Sequence, residues 1–335
     1  MAPRLVLLIS NPQDKHTSRV FENIQKFNAH PILFFPEKFG SDYTLSINQT
    51  HNNEIPEIIV NTGSENINLN EVFSIWYRRP HPIHFQKYSL TDEGEDFALD
   101  EWKAAIEAMY ALLKDPLWVS HPDKLRKASR KPLQLKLAQE IGFRVPRTLI
   151  TNNPIQAKRF YELCDGKIIL KATGAGWIYS RNNSDIKFVL TNRVIFSDII
   201  AEDEISISPV TFQEEIPKKY EIRVNVIGSQ VISVKIDSQQ SKTSELDWRR
   251  YDLQNTPYAP YKLPDEIEKK CLELTRQLGL EFGAIDLIRK PDGEYVFLEI
   301  NENGQFLWIE ELSGAQISVA IASLLAGVSP SLNNS

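Results

Sequence analysis

The segment FGAIDLIRKPDGEYVFLEINENG, residues 282–304, restricts the fold more than any other stretch of the chain. Apolar residues run on both sides of Pro291-Asp292-Gly293, a turn-forming triplet, which predicts an antiparallel hairpin. On its second strand Val296, Leu298 and Ile300 alternate against Tyr295 and Phe297, and the latter face ends in Glu299 and Asn301. Side chains repeat every two residues along a strand, so this carboxylate and amide share a side. With Asp286 on the first strand they form a trio of hard oxygen donors. Such a set suits Mg²⁺, which takes one or two carboxylates and completes its shell with phosphate and water. The same residues also read as rim charges and a strand-end turn former. A plain turn at Pro291-Asp292-Gly293 pairs Asp286 with Leu298, so the metal reading requires a bulge or a one-residue register shift.

Upstream, the first third of the chain alternates strand and helix. RLVLLIS, PILFF, EIIVN and FSIWYRR read as strands of one sheet, with a helix from Asp14 to Phe27. Trp102, Ile106, Met109, Tyr110 and Leu113 stand at helical spacing before Pro116. This predicts an α/β domain over residues 1–118. A second unit, 119–207, opens with a helix at SRKPLQLKLAQEIGF and continues with strands RVPRTLI and KIILKAT around a helix from Pro154 to Cys164. From Ser208 to residue 330 the pattern turns to antiparallel strands, including a hairpin at Gly228-Ser229, with helices from Pro264 to Leu278 and from Gln316 to Leu325. The fold class is therefore α/β followed by α+β.

The charged residues of the middle are oddly placed. Lys171 ends the apolar run KIILK, which favours an ammonium with a partner or one snorkelling to water. Lys131 opens a helix, where a cation gains nothing from the helix dipole. In FQEEIPKKYEIRV, Glu214, Glu215 and Ile216 occupy a strand end or hinge. Glu221 and Arg223 share one face of the next strand, either as a surface ion pair or as ligand-binding groups. Arg249, in DWRRYD, adds another planar donor.

The chain has 335 residues, 42% of them hydrophobic, and a net charge of −6, which argues against a protein that coats nucleic acid. Two cysteines, Cys164 and Cys271, form neither a disulfide framework nor a zinc site, and the expected compartment is a reducing cytoplasm. The opening MAPRLVLLIS is too short for a transmembrane span, so no membrane partner is expected.

The order of these pieces resembles the ATP-grasp fold from about residue 119 to 327. It comprises a helix-start lysine, a strand lysine before the loop TGAG, a Q-E-x-I hinge, an E-x-R strand, then D and E-x-N on adjacent strands. WYRRP, FQEEIPKKYEIRVNVIG, DSQQ, LDWRR, FGAIDLI and FLEINENGQFLWIE are similar to phrases of the ATP-grasp ligases that mature microviridin-type peptides, the graspetides. The resemblance implies an N-terminal pre-ATP-grasp domain, ATP with Mg²⁺ (Mn²⁺ fits the same donors), and a precursor peptide with a leader and a core of Thr or Ser and Glu or Asp. It implies Asp286, Glu299 and Asn301 on the metal, Lys131 and Lys171 on phosphates, Glu214, Glu215 and the Ile216 backbone near adenine, and Glu221 on the ribose. Arg223 and Arg249 would steady the transferred phosphoryl and acyl oxygens.

What the resemblance implies for the reaction is an Asp or Glu side chain activated as an acylphosphate, then attacked by a Ser or Thr hydroxyl or a Lys amine of the same peptide. The leader would dock on the middle lobe, with Phe188, Val194, Ile195 and Ile199 as candidate anchors. Homodimers are common among such relatives. The loop TGAGWIYSRNN and residues 182–208 depart from the family pattern, and no residue is assigned as general base, His81 and His84 being candidates by proximity alone. A ligase adding a free amino acid to a protein or small acid, and a nucleotide-binding module without catalysis, remain alternatives.

Overall fold

The computed structural model describes residues 3–51, 55–85, 87–174, 176–179, 186–248, 252 and 255–328. The chain starts with β1 (Arg4–Ile9), α1 (Lys15–Ile24) and β2 (Ala29–Phe34), followed by β3 (Thr44–Asn48), β4 (Glu57–Asn61), β5 (Asn66–Asn68) and β6 (Ser74–Tyr77). The long helix α2 (Asp92–Leu112) leads to β7 (Leu117–Val119). Strands β2-β1-β6-β7 pair in parallel. Contrary to the expectation of a single sheet, the EIIVN strand leaves it and sits at the centre of an antiparallel β3-β4-β5 meander. The reason is local: short loops favour antiparallel pairing, whereas a parallel partner needs a long crossover. Ile58 and Val60 still point into the core that Leu7, Ile9, Phe34, Ile75 and Met109 build.

Next come α3 (Pro122–Ala128), α4 (Lys131–Glu140), β8 (Thr148–Thr151), α5 (Pro154–Leu163) and β9 (Ile168–Lys171). Short strands β10 (Trp177–Tyr179), β11 (Ile186–Phe188) and β12 (Asn192–Arg193) precede α6 (Phe196–Ile199), α7 (Glu202–Ile207) and β13 (Val210–Glu214). Strand β13 inserts between β9 and β8, giving the antiparallel sheet β12-β9-β13-β8 over a small core of Ala157, Phe160, Ile168 and Phe212.

The last lobe holds β14 (Tyr220–Ile227), β15 (Gln230–Ile236), β16 (Tyr258–Tyr261), α8 (Asp265–Gln277), β17 (Phe282–Arg289), β18 (Tyr295–Asn301), α9 (Leu307–Ser313) and α10 (Ile317–Leu325). Its sheet, β16-β15-β14-β17-β18, is covered on one face by α4 and α8, through Ala138, Cys271 and Leu274. The other face packs on α10 and also on Val20, Ile24 and Trp76 of the N-terminal domain. These two parts therefore share one core. Both expected hairpins are present: Ile227 pairs with Gln230 around Gly228, whose φ of 55° suits a tight turn, and Arg289 pairs with Tyr295.

Candidate active site

The register shift that the metal reading demands is present. Strands β17 and β18 pair Asp286 with Glu299 but Leu287 with Phe297, with an irregularity between Asp286 and Leu287. One residue of β18 is thus extra, and it turns Asp286 onto the face of Glu299 and Asn301. The Asn301 amide nitrogen lies 3.1 Å from Asp286 Oδ2 and 3.4 Å from Glu299 Oε1. A half-turn of that amide presents its oxygen instead. Among the described residues no group of three His, Cys, Asp or Glu side chains could hold a metal ion, so a cation here depends on phosphate and water for the rest of its shell.

Cations balance this cluster. Arg223 Nη1 donates to both oxygens of Asp286, at 2.9 and 2.8 Å, and Lys131 Nζ pairs with Glu299 Oε2. Arg223 Nη2 also donates to the Gln305 carbonyl at 3.3 Å, while its Nε is buried without a partner. The adjacent glycine makes room: a Cβ on Gly304 would stand 2.8 Å from Arg223 Nη2 and 2.6 Å from the Ala284 Cβ. Lys171, at the end of β9, faces the same cleft from the middle lobe. Arg249 lies outside the described residues.

Deeper in, Ile169, Ile216, Ile288 and Leu298 form apolar walls of a slot between the two sheets, which Gln213 and Glu221 also line. Ile216 packs against Ile288, Val296 and Leu298. Glu214 accepts from the Arg147 N–H at 3.1 Å, and Glu215 is held by Arg193, which also reaches Glu245 at 2.9 Å. Glu221 is buried, and its Oε1 accepts from Lys218 Nζ at 2.8 Å. Burial raises its carboxyl above the usual range, against the lowering pull of Lys218. Its Oε2 is an acceptor with no partner, as a sugar hydroxyl would require. The partners Lys218 and Arg193 were missed from sequence, although PKKYE carries the signal: a lysine three residues before a strand glutamate.

WYRRP supplies an interdomain tie that the sequence did not announce. Arg78 is fully buried, its Nε 3.2 Å from Asp14 Oδ2. Its Nη1 donates to the carbonyls of Asn303 and Gly304, at 2.6 and 3.0 Å, and to Asn303 Oδ1 at 2.8 Å. Asp14 caps α1, and His16 Nε2 accepts from the Phe306 N–H at 3.2 Å. Burial alone would raise the Asp14 carboxyl, but the His16 hydrogen bond, the Arg78 charge and the Thr17 N–H hold it well below the carboxylate range. The turn after Asn301 is therefore clamped to the N-terminal domain. His81 lines a neighbouring cleft beside α2, whose lining includes neither Lys131 nor Lys171.

Residues 5–126 match the MvdD pre-ATP grasp domain family, and residues 128–325 match the RimK-like ATP-grasp domain family. The chain belongs to the ATP-grasp ligases. This ATP-grasp ligase superposes on the macrocyclase MdnC from Microcystis aeruginosa MRC, bound with precursor peptide MdnA, with TM-score 0.83, 30% identity and coverage of 96% of this chain and 99% of that one. For the Chryseobacterium gregarium RiPP-associated ATP-grasp ligase, in complex with ADP and a leader and core peptide, the TM-score is 0.88, the identity 31%, and 98% of each chain is covered. A probable alpha-L-glutamate ligase of Haemophilus influenzae (strain ATCC 51907 / DSM 11121 / KW20 / Rd) is 27% identical over 72% of this chain and 82% of its own length. The fold class and family expected from sequence are thereby met. ATP is the nucleotide of this family. No helix among the described residues is long and apolar enough to cross a membrane.

Proposed function

We propose that this ATP-grasp ligase closes rings in a ribosomally made precursor peptide by activating Asp or Glu side chains. The observation that carries the reading is the bulge at Asp286, which gathers two carboxylates and an amide beneath Lys131, Lys171 and Arg223. Around them the chain keeps the full frame of two ligases that bind precursor peptides. The donor set fits Mg²⁺: Asp286, Glu299 and Asn301 would hold it, and it would neutralise triphosphate charge when bound. Lys131 and Lys171 bind phosphate oxygens, the slot beside Glu214, Glu215 and Ile216 takes adenine, and Glu221 Oε2 accepts from a ribose hydroxyl.

A substrate carboxylate oxygen attacks the γ-phosphorus, the bond to the β-bridging oxygen breaks, and ADP leaves. A hydroxyl or amine of the same peptide then adds to the acyl carbon, loses its proton to solvent and expels phosphate, leaving an ester or amide. Arg223, with Arg249, carries the charge that builds on phosphoryl and acyl oxygens.

The leader is proposed to dock on the middle lobe. Val194 and Ile199 belong to its core, which removes them as anchors, whereas Ile195, Phe196 and Ile200 are each more than half exposed. Phe188 lies on β11, and nothing is assigned to its side chain. Incubation with Mg-ATP and Thr- and Glu-containing leader–core peptides tests the reading. Loss of one water per ring, with one ADP released, is expected. A mass gain equal to an amino acid would overturn it in favour of the free-amino-acid ligase, and no ATP turnover with any peptide would overturn it outright.

A further inference from the structure

Arg79 stands in a left-handed backbone conformation, with φ of 46°. Residues bearing a Cβ adopt it only when their surroundings enforce it. The other described non-glycine residue of this kind, Asp165, sits in the turn after α5, where an aspartate tolerates the geometry. Arg79 has no such excuse and is pinned from several sides. Asn11 Nδ2 donates to its carbonyl at 2.7 Å, the buried Arg78 precedes it, and Pro80 follows. Its own Nη2 donates to the Asn303 carbonyl at 3.0 Å, two residues beyond Asn301.

This arrangement delivers a guanidinium from the N-terminal domain into the cleft, of about 530 Å³, that holds Lys131, Lys171, Arg223, Asp286 and Glu299. Arg223 already faces Asp286, and Lys131 faces Glu299. Arg79 is exposed and makes no ion pair with a carboxylate among the described residues, although Glu302, which lines the same cleft, feels its charge through space. We infer that Arg79 receives the acidic side chain that is to be activated. Its planar fork takes the carboxylate in two parallel hydrogen bonds and sets it beside the metal ligands. The inference rests on the ring-closing reading and deepens it: Arg79 selects an anionic side chain over its amide. The strained backbone fixes the direction of approach, and the Arg78 clamp keeps the N-terminal domain in register with the 303–306 turn.

The test compares wild type with Arg79→Gly, Arg79→Ala and Arg79→Lys, using a leader–core peptide that loses water with the wild-type enzyme. Arg79→Gly removes the guanidinium together with the backbone strain. Its melting temperature should hold or rise, while KM for the peptide rises about ten- to a hundredfold, the loss of a charged hydrogen-bond pair, and KM for ATP stays unchanged. Arg79→Lys should recover part of the loss. Peptide KM within about twofold of wild type in Arg79→Gly overturns the inference. So does a fall in melting temperature with KM for ATP raised alongside, which would make Arg79 a structural tie. Failure of the wild type to remove water from any peptide would sink the ring-closing reading, and this inference with it.

Discussion

Replacing Glu299 by Gln isolates one charge of the metal cluster at almost constant shape. The Asn301 amide nitrogen lies 3.1 Å from Asp286 Oδ2 and 3.4 Å from Glu299 Oε1, so the three side chains stand close enough that one small cation would be held among them. At an effective dielectric constant of about 20, a unit charge at about 4 Å contributes about 4 kcal/mol per positive charge. Glu299 acts on phosphoryl transfer through the cation it would hold, so weakening that hold by one such interaction should slow turnover roughly a thousandfold. The fold should hardly notice. Glutamine still accepts a hydrogen bond from Lys131, a pair in which the lysine side chain is one-third exposed, so the stability change should lie within about 1 kcal/mol. A coupled ADP-release assay, a thermal melt and an AMP-PNP titration together read both quantities. Turnover within about tenfold of wild type would refute the placement of the cation at Glu299. A collapse of the melt would show instead that the Lys131 pair is structural.

Arg78→Met should cost about 3–5 kcal/mol in urea unfolding, because it strands the buried Asp14 carboxylate and the acceptors of the 303–304 turn; an unchanged midpoint contradicts the clamp. The Asp14 carboxyl has a folded pKa below its unfolded 3.8, so its stabilisation is complete above that pH and disappears as pH falls below it. Asp14→Asn should therefore flatten the acid limb of the stability curve. Glu221→Gln should weaken AMP-PNP binding about tenfold by calorimetry, the equivalent of one hydrogen bond, since it alters an acceptor whose Oε2 has no protein partner. Equal affinity would remove Glu221 from the ribose. Gly304→Ala places a Cβ 2.6 Å from the Ala284 Cβ and 2.8 Å from Arg223 Nη2. It should displace Arg223 and abolish most ADP release at a stability cost of about 1–3 kcal/mol; full activity would show that the turn yields freely.

Local chemistry made much of this protein legible from its residues. Alternating apolar positions and the turns at Gly228 and Pro291-Asp292-Gly293 specify both hairpins, because side-chain periodicity and turn geometry act over a few residues. The donor types of Asp286, Glu299 and Asn301 likewise restrict the chemistry to hard cations before any fold is known. Tertiary structure decided which of these groups meet. The shift at Asp286, the burial of Arg78 against Asp14, the seating of Lys131 on Glu299 and the departure of EIIVN into its own meander depend on contacts between distant segments. Charge partners are chosen by whichever packing leaves no buried ion alone, and that balance is struck across the whole core rather than along the chain.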